Sequence, residues 1–124
     1  MRFVAALILF ILNSAFLHSQ EAEFFVKKPT IKFPDALEGD QLEHTFYVTN
    51  TGQKPLIISA YHVECSCTSV DIPKQPVMPG ASAAIKVKFD SEGKSYYQDR
   101  IIYLDTNTKK KKEKLRFKVY VAPK

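Results

Sequence analysis

Near the end of the chain, Leu115, Phe117, Val119 and Val121 alternate with Lys114, Arg116, Lys118 and Tyr120. Successive side chains of an extended strand point to opposite faces, so this pattern describes a ribbon with one buried and one wetted face. A helix cannot present it, because helical neighbours recur every 3.6 residues. The same alternation recurs upstream. Ile85, Val87 and Phe89 alternate with Lys86 and Lys88, and Leu42, His44, Phe46 and Val48 with Glu43, Thr45, Tyr47 and Thr49.

Turn signals separate these runs. Pro34 and Glu38-Gly39-Asp40 follow a short first strand at 30–33. Asn50-Thr51-Gly52 follows the second run, and Ser91-Glu92-Gly93-Lys94 follows the run at 85–89. Further strands are expected at 55–63, 65–70 and 99–105. Pro73, Pro76, Pro79 and Gly80 make 73–80 an irregular loop, because proline cannot donate to a strand ladder. Seven short strands without helical crossovers predict an all-β chain, an immunoglobulin-like antiparallel β-sandwich of about seven strands. A small closed barrel would share most of this pattern.

The first residues read differently. Arg2 is followed by ten apolar residues at 3–12, then by Asn13 and Ser14, then by the acidic start Gln20-Glu21-Ala22-Glu23. A positive start, a short apolar stretch and small residues beyond it are the parts of a secretory signal peptide. The expected division is a signal peptide at 1–19 and a sandwich domain at 20–124, with cleavage after Ser19 or, alternatively, after Ala15. A spanning helix needs about 20 apolar residues, so no stable membrane span is expected after cleavage. The address is then periplasmic or extracellular. Losing Arg2 lowers the formal charge from +5 to about +4, leaving 17 basic against 13 acidic residues.

A set of landmarks occurs in order: Glu38-Gly39-Asp40, Phe46-Tyr47-Val48-Thr49-Asn50-Thr51-Gly52, Pro55-Leu56-Ile57-Ile58, Cys65-Ser66-Cys67-Thr68, Val77-Met78-Pro79-Gly80, Ile85 to Phe89 with Asp90, and Leu104-Asp105-Thr106-Asn107. Together they resemble the domain of unknown function 1573 family over about 31–121. The resemblance implies an exported bacterial sandwich similar to major-sperm-protein and ASPM-SPD2-Hydin modules, with no assigned activity. The chain departs from the family pattern at two places. Ser66 stands where the family often has Gly between its cysteines. Tyr96-Tyr97 stands where it tends to have Gly before Phe.

Cys65 and Cys67 are the only cysteines. Four states are open to them. Both thiols could pack as small hydrophobes, or pair with each other, as an oxidising compartment favours. They could join His62 as metal ligands for copper(I) or zinc, with a fourth ligand such as His44. They could also bridge to another molecule. In an extended strand the two Cα atoms would stand about 6.6 Å apart, near the upper end for a disulfide.

Other chemistry is sparse. His18 leaves with the signal, His44 falls on an inward strand face, and no Ser-His-Asp or Cys-His-Asn arrangement can be built. No catalytic residue and no cofactor are expected. Lys109, Lys110, Lys111 and Lys112 form a basic hairpin tip. Such a tip is either a solvated turn that keeps an edge from pairing or a contact for an acidic partner. The expected function is a non-enzymatic binding or scaffold module for an unknown protein or cell-envelope partner, not nucleic acid. Oligomeric state is left open. The alternative is a thiol-based redox or metal-handling protein acting through Cys65 and Cys67.

Overall fold

The run with the strongest alternation becomes β9 (Lys112–Ala122) and lies inside its sheet from Arg116 onward. Leu115, Phe117, Val119 and Val121 are buried, while Lys112, Lys114 and Lys118 face water. The computed structural model describes residues 20–124; the expected signal peptide at 1–19 lies outside the described residues. The remaining strands are β1 (Phe24–Val26), β2 (Thr30–Lys32), β3 (Ala36–Leu37), β4 (Gln41–Asn50), β5 (Ile58–His62), β6 (Thr68–Asp71), β7 (Ser82–Asp90) and β8 (Tyr96–Thr106). One sheet has the order β1-β4-β7-β6. The other has the order β2-β9-β8-β5, with β3 also paired to β9.

The two sheets share one core. Phe46, Val48, Ile85, Val87 and Phe89 come from the first, and Ile102, Leu104, Leu115, Phe117, Val119 and Val121 from the second. Phe117 packs its ring against Phe89 at 5.2 Å and Phe33 at 5.6 Å, centroid to centroid. Burying such side chains stabilises the fold by roughly 25 cal/mol per Å² of apolar area. Both sheets keep open edges, so the architecture is a sandwich and not a closed barrel.

Among the described residues, nine strands stand where about seven were expected. The two additions are β1 and β3, of three and two residues. Alternation needs about four residues to show, so neither leaves a signal. The sheets are also not wholly antiparallel. β2 and β3 run parallel to β9. The chain enters on the first sheet as β1, breaks near Pro29, and continues along the second sheet as β2, which places it beside β9 in the same direction. The segment expected at 65–70 begins only at Thr68, because Cys65, Ser66 and Cys67 form a turn closed by Thr68 N–H donating to the Cys65 carbonyl at 3.1 Å. The segment expected at 55–63 narrows to β5. Ahead of it, Leu56 bridges to Val77 across the proline-rich loop.

Several landmark residues hold the loops. Asn50 is fully buried. Its Oδ1 accepts from Glu23 N–H at 3.2 Å and Gly52 N–H at 2.9 Å. Its Nδ2 donates to the Lys54 carbonyl at 2.7 Å and the Val77 carbonyl at 2.9 Å. One amide thus ties together the N-terminal segment, the 50–54 turn and the proline-rich loop. Gly52 permits that junction. A Cβ there would lie 2.1 Å from the Glu21 carbonyl oxygen, while Gln53 N–H donates to that same oxygen at 2.9 Å. Asn107 does similar work for the approach to β5, accepting from Ile57 N–H at 2.8 Å and donating to the Pro55 carbonyl at 2.9 Å. Ser91, also buried, donates its hydroxyl to the Asp40 carbonyl at 2.7 Å and so pins the Glu38-Gly39-Asp40 turn.

Tyr96 has φ 66°, in the left-handed region. A side chain there is disfavoured by about 1–2 kcal/mol, which gives a physical reason for glycine at this position. Its ring and that of Tyr97, which is 79% exposed, lie beside Tyr120 on the surface.

Candidate functional site

The β8–β9 hairpin carries the most concentrated charge. Its register ends at Asp105 opposite Lys112, and β8 runs on to Thr106, leaving 107–111 as the loop. Polar groups inside the loop fix its shape. Thr106 N–H donates to the Lys111 carbonyl at 3.0 Å, and Lys111 N–H donates to the Thr108 carbonyl at 3.0 Å. Thr108 is buried, with its hydroxyl donating to Glu113 Oε1 at 3.1 Å. With its polar atoms occupied inside, the loop turns Lys109, Lys110, Lys111 and Lys112 outward, and all four are exposed. Among the described residues, none of the four has a carboxylate oxygen within 4.0 Å.

The outer face of the first sheet, by contrast, is balanced. Glu43 on β4 pairs with Lys86 on β7 at 2.9 Å, and the Lys86 ammonium, by hydrogen bond and by charge, holds the Glu43 carboxyl below its ordinary pKa. On the second sheet Asp99 takes the Arg116 guanidinium through Nε at 2.7 Å and a second nitrogen, and the hydrogen bond from Arg116 lowers the Asp99 pKa. Lys112, Lys114 and Lys118 share the outward row with Arg116.

Two grooves adjoin the hairpin, with Phe24, Phe25, Lys110 and Glu113 common to both. The first, about 370 Å³, includes Glu21, Glu23 and Lys109. The second, about 510 Å³, runs along Val26, Pro29, Lys112 and Lys114. The lysine run was legible in the sequence. The aromatic wall supplied by β1 was not, since that strand leaves no periodic signal.

The second candidate is the turn between β5 and β6. Cys65 and Cys67 are disulfide-bonded to each other, with Cα atoms 5.1 Å apart. The turn brings them closer than an extended strand would. Cys67 N–H also donates to Cys65 Sγ at 3.1 Å, and both residues are half-buried. His62 is directed elsewhere, its Nε2 lying 2.8 Å from Asp105 Oδ2 on the neighbouring strand β8. Among the described residues, no three His, Cys, Asp or Glu side chains gather as a metal site. His62, Cys65 and Cys67 are therefore not brought together as ligands.

His44 lies on the inward face of β4, half-buried, with its ring 4.6 Å from Phe46 and 6.3 Å from Phe33. Burial lowers its pKa from the ordinary 6.5.

The family model described as protein of unknown function (DUF1573) matches residues 24–121. The chain belongs to the DUF1573 family. The match spans β1 to β9 and includes Asn50, Gly52, Asn107 and the Cys65-Ser66-Cys67 turn. No curated protein matches this DUF1573 chain. Among solved structures it is similar to a protein of unknown function from Porphyromonas gingivalis W83, at 15% identity and a TM-score of 0.71. That match covers 86% of this chain and 50% of the other, so the DUF1573 chain spans about half the length of that protein. It is also similar to the seventh ASH/PapD-like domain of human CEP192, at 12% identity and a TM-score of 0.58, covering 89% and 91%. A third similarity is to WR4, a Caenorhabditis elegans MSP family member, at 13% identity and a TM-score of 0.52, covering 85% and 100%. These likenesses establish the fold of the DUF1573 chain, an immunoglobulin-like sandwich of the PapD-like and MSP kind.

Proposed function

We propose that this protein is an exported, non-enzymatic binding or scaffold module of the periplasm or cell exterior. It holds a protein or cell-envelope partner through the 107–113 hairpin. The observation that carries this role is the exposed run Lys109, Lys110, Lys111 and Lys112, free of carboxylate partners among the described residues on a loop whose shape is set from within. Four clustered ammonium groups without a direct ion pair repel one another, and an acidic partner relieves that repulsion. The polar landmark residues, in contrast, are engaged in holding loops. Export is supported by the signal-like start of the chain.

Two measurements on expressing cells test this role. The intact mass of protein recovered from the envelope fraction should correspond to loss of residues 1–19. Full-length protein confined to the cytoplasm would refute export. A photo-crosslinking residue placed at Lys110 should give a discrete adduct in the envelope, while one placed at Ala84 on the opposite sheet should not. Recovery of monomer alone from both positions would refute the binding role.

A second role, thiol-based redox exchange or copper or zinc handling, draws on the partly exposed Cys65–Cys67 disulfide. Thiol titration of native protein separates the two roles. Two free thiols that take up copper(I) or zinc stoichiometrically would favour metal handling. A Cys65→Ser/Cys67→Ser chain with unchanged stability and unchanged cross-linking would exclude both thiol roles.

A further inference from the structure

Strand β9 is not paired along its whole length on the side away from β8. Its parallel register with β2 begins at Arg116 opposite Thr30 and ends at Lys118 opposite Lys32. Nothing among the described residues continues that ladder toward the hairpin, so β9 is an open edge from 112 to 115, about 13 Å long at 3.3 Å per residue. The direction of its free groups follows from the pairs that do form. Arg116 N–H donates outward to the Pro29 carbonyl at 2.9 Å, and the Lys118 carbonyl accepts from Phe33 N–H at 2.9 Å. Backbone polarity alternates along a strand. The N–H and C=O of Lys112 and Lys114 therefore point to the same open side. The 510 Å³ groove lies along this edge, walled by Phe24, Phe25 and Val26. Phe25 is 52% exposed.

We propose that this edge accepts an extended acidic peptide segment of a partner protein, added as a short strand beside β9. The proposal rests on the binding role above and specifies its partner. Charge complementarity selects the acid. Lys110, Lys112 and Lys114 line the groove against the single carboxylate of Glu113, which already accepts from Thr108. The Lys114 ammonium lies 5.9 Å from the Tyr103 ring and is otherwise free of ion pairs among the described residues. The backbone selects the peptide. Anionic lipid headgroups and acidic polysaccharides supply acceptors for lysine, but only another strand supplies amide donors and carbonyl acceptors in alternation for Lys112 and Lys114. Lysines at an edge deter uncharged and basic strands, so the same charges that prevent indiscriminate pairing admit an acidic one. The aromatic wall gives alternate apolar side chains of such a segment a place to lie.

The test uses the full chain in the form recovered from expressing cells, titrated with a ten-residue peptide alternating Glu and Val. Amide chemical-shift changes should concentrate at 112–115 and 24–26. Affinity should fall at least tenfold in Lys110→Glu/Lys112→Glu, whose melting temperature should match the parent. It should fall at least tenfold again when the peptide is N-methylated at alternate residues, and it should weaken steadily with salt. Three outcomes would overturn the proposal: no binding, shift changes elsewhere on the surface, or equal affinity for the N-methylated peptide. Tighter binding to vesicles containing phosphatidylglycerol, with no response to the peptide, would overturn it in favour of a lipid surface. Cross-linking from position 110 in cells reports on the broader binding role independently. An adduct there without peptide binding would refute the edge while leaving the module intact.

Discussion

Asn50 ties three segments of this molecule together. Its amide supplies two donors and an acceptor shared by two backbone N–H groups, all in a site without solvent exposure. Asn50→Ala leaves two carbonyls and two N–H groups without that partner and is expected to destabilise the fold by about 3 kcal/mol. Chemical denaturation should show a lower midpoint with an unchanged slope. A loss below about 0.5 kcal/mol, the range of an ordinary surface substitution, would contradict this role. Tyr96 offers a test of the opposite sign. Its left-handed φ should make Tyr96→Gly neutral or stabilising and Tyr96→Val destabilising by more than about 1 kcal/mol, by the same denaturation measurement. His44 sets a pH dependence. Burial depresses its folded pKa below the unfolded value near 6.5. The folded state therefore binds this proton less readily than the unfolded chain. Stability associated with His44 is intact above the unfolded pKa and is lost as pH falls toward the lower folded pKa. His44→Gln should flatten the decline in melting temperature between about pH 7 and pH 5, and an unchanged slope would contradict it.

The strands differ in how firmly they are held. β4, β7, β8 and β9 have nine to eleven residues, and each has a paired neighbour on both sides. β1, β2 and β3 have two or three residues and lie at sheet margins. Local opening follows such differences, so amide hydrogen exchange should be slowest at Ile85, Val87, Ile102, Leu104 and Phe117 and fastest in β1 to β3. Uniform protection across all nine strands would contradict the description. The same difference explains what the amino-acid pattern disclosed. Long strands buried on one face write their geometry as alternation, legible at Leu42, Ile85 and Leu115, while β8 was read at 99–105 from its apolar run. β1 and β3 hold their places through backbone pairing to β4 and β9, which is non-local and leaves no mark on their own residues. The parallel direction of β2 was hidden for this reason. So was the turn at Cys65, whose conformation depends on Thr68 N–H finding the Cys65 carbonyl rather than a strand neighbour.

At the scale of the whole molecule, structural polarity and contact polarity occupy different places. Asn50, Ser91 and Asn107 point inward or along loops, and Glu43–Lys86 balances the outer face of the first sheet. The densest run of unpaired positive charge among the described residues stands on the hairpin. The lysine run could be recognised from residue order alone, since four consecutive identical charges need no fold to be noticed. Its setting could not, because Phe24, Phe25 and Pro29 reach the hairpin only after β1 and β2 dock on different sheets. The central claim is that the lysines serve contact and the buried amides serve architecture. The direct measurement is the Lys109→Ser/Lys110→Ser/Lys111→Ser/Lys112→Ser chain, tested for melting temperature and for in-cell cross-linking from a probe at the exposed Lys114 beside the hairpin. A melting temperature within about 2 °C of the parent, as expected for surface changes worth less than about 0.5 kcal/mol, together with loss of the adduct, is the predicted result. An undiminished adduct, or a chain that no longer folds, would contradict it.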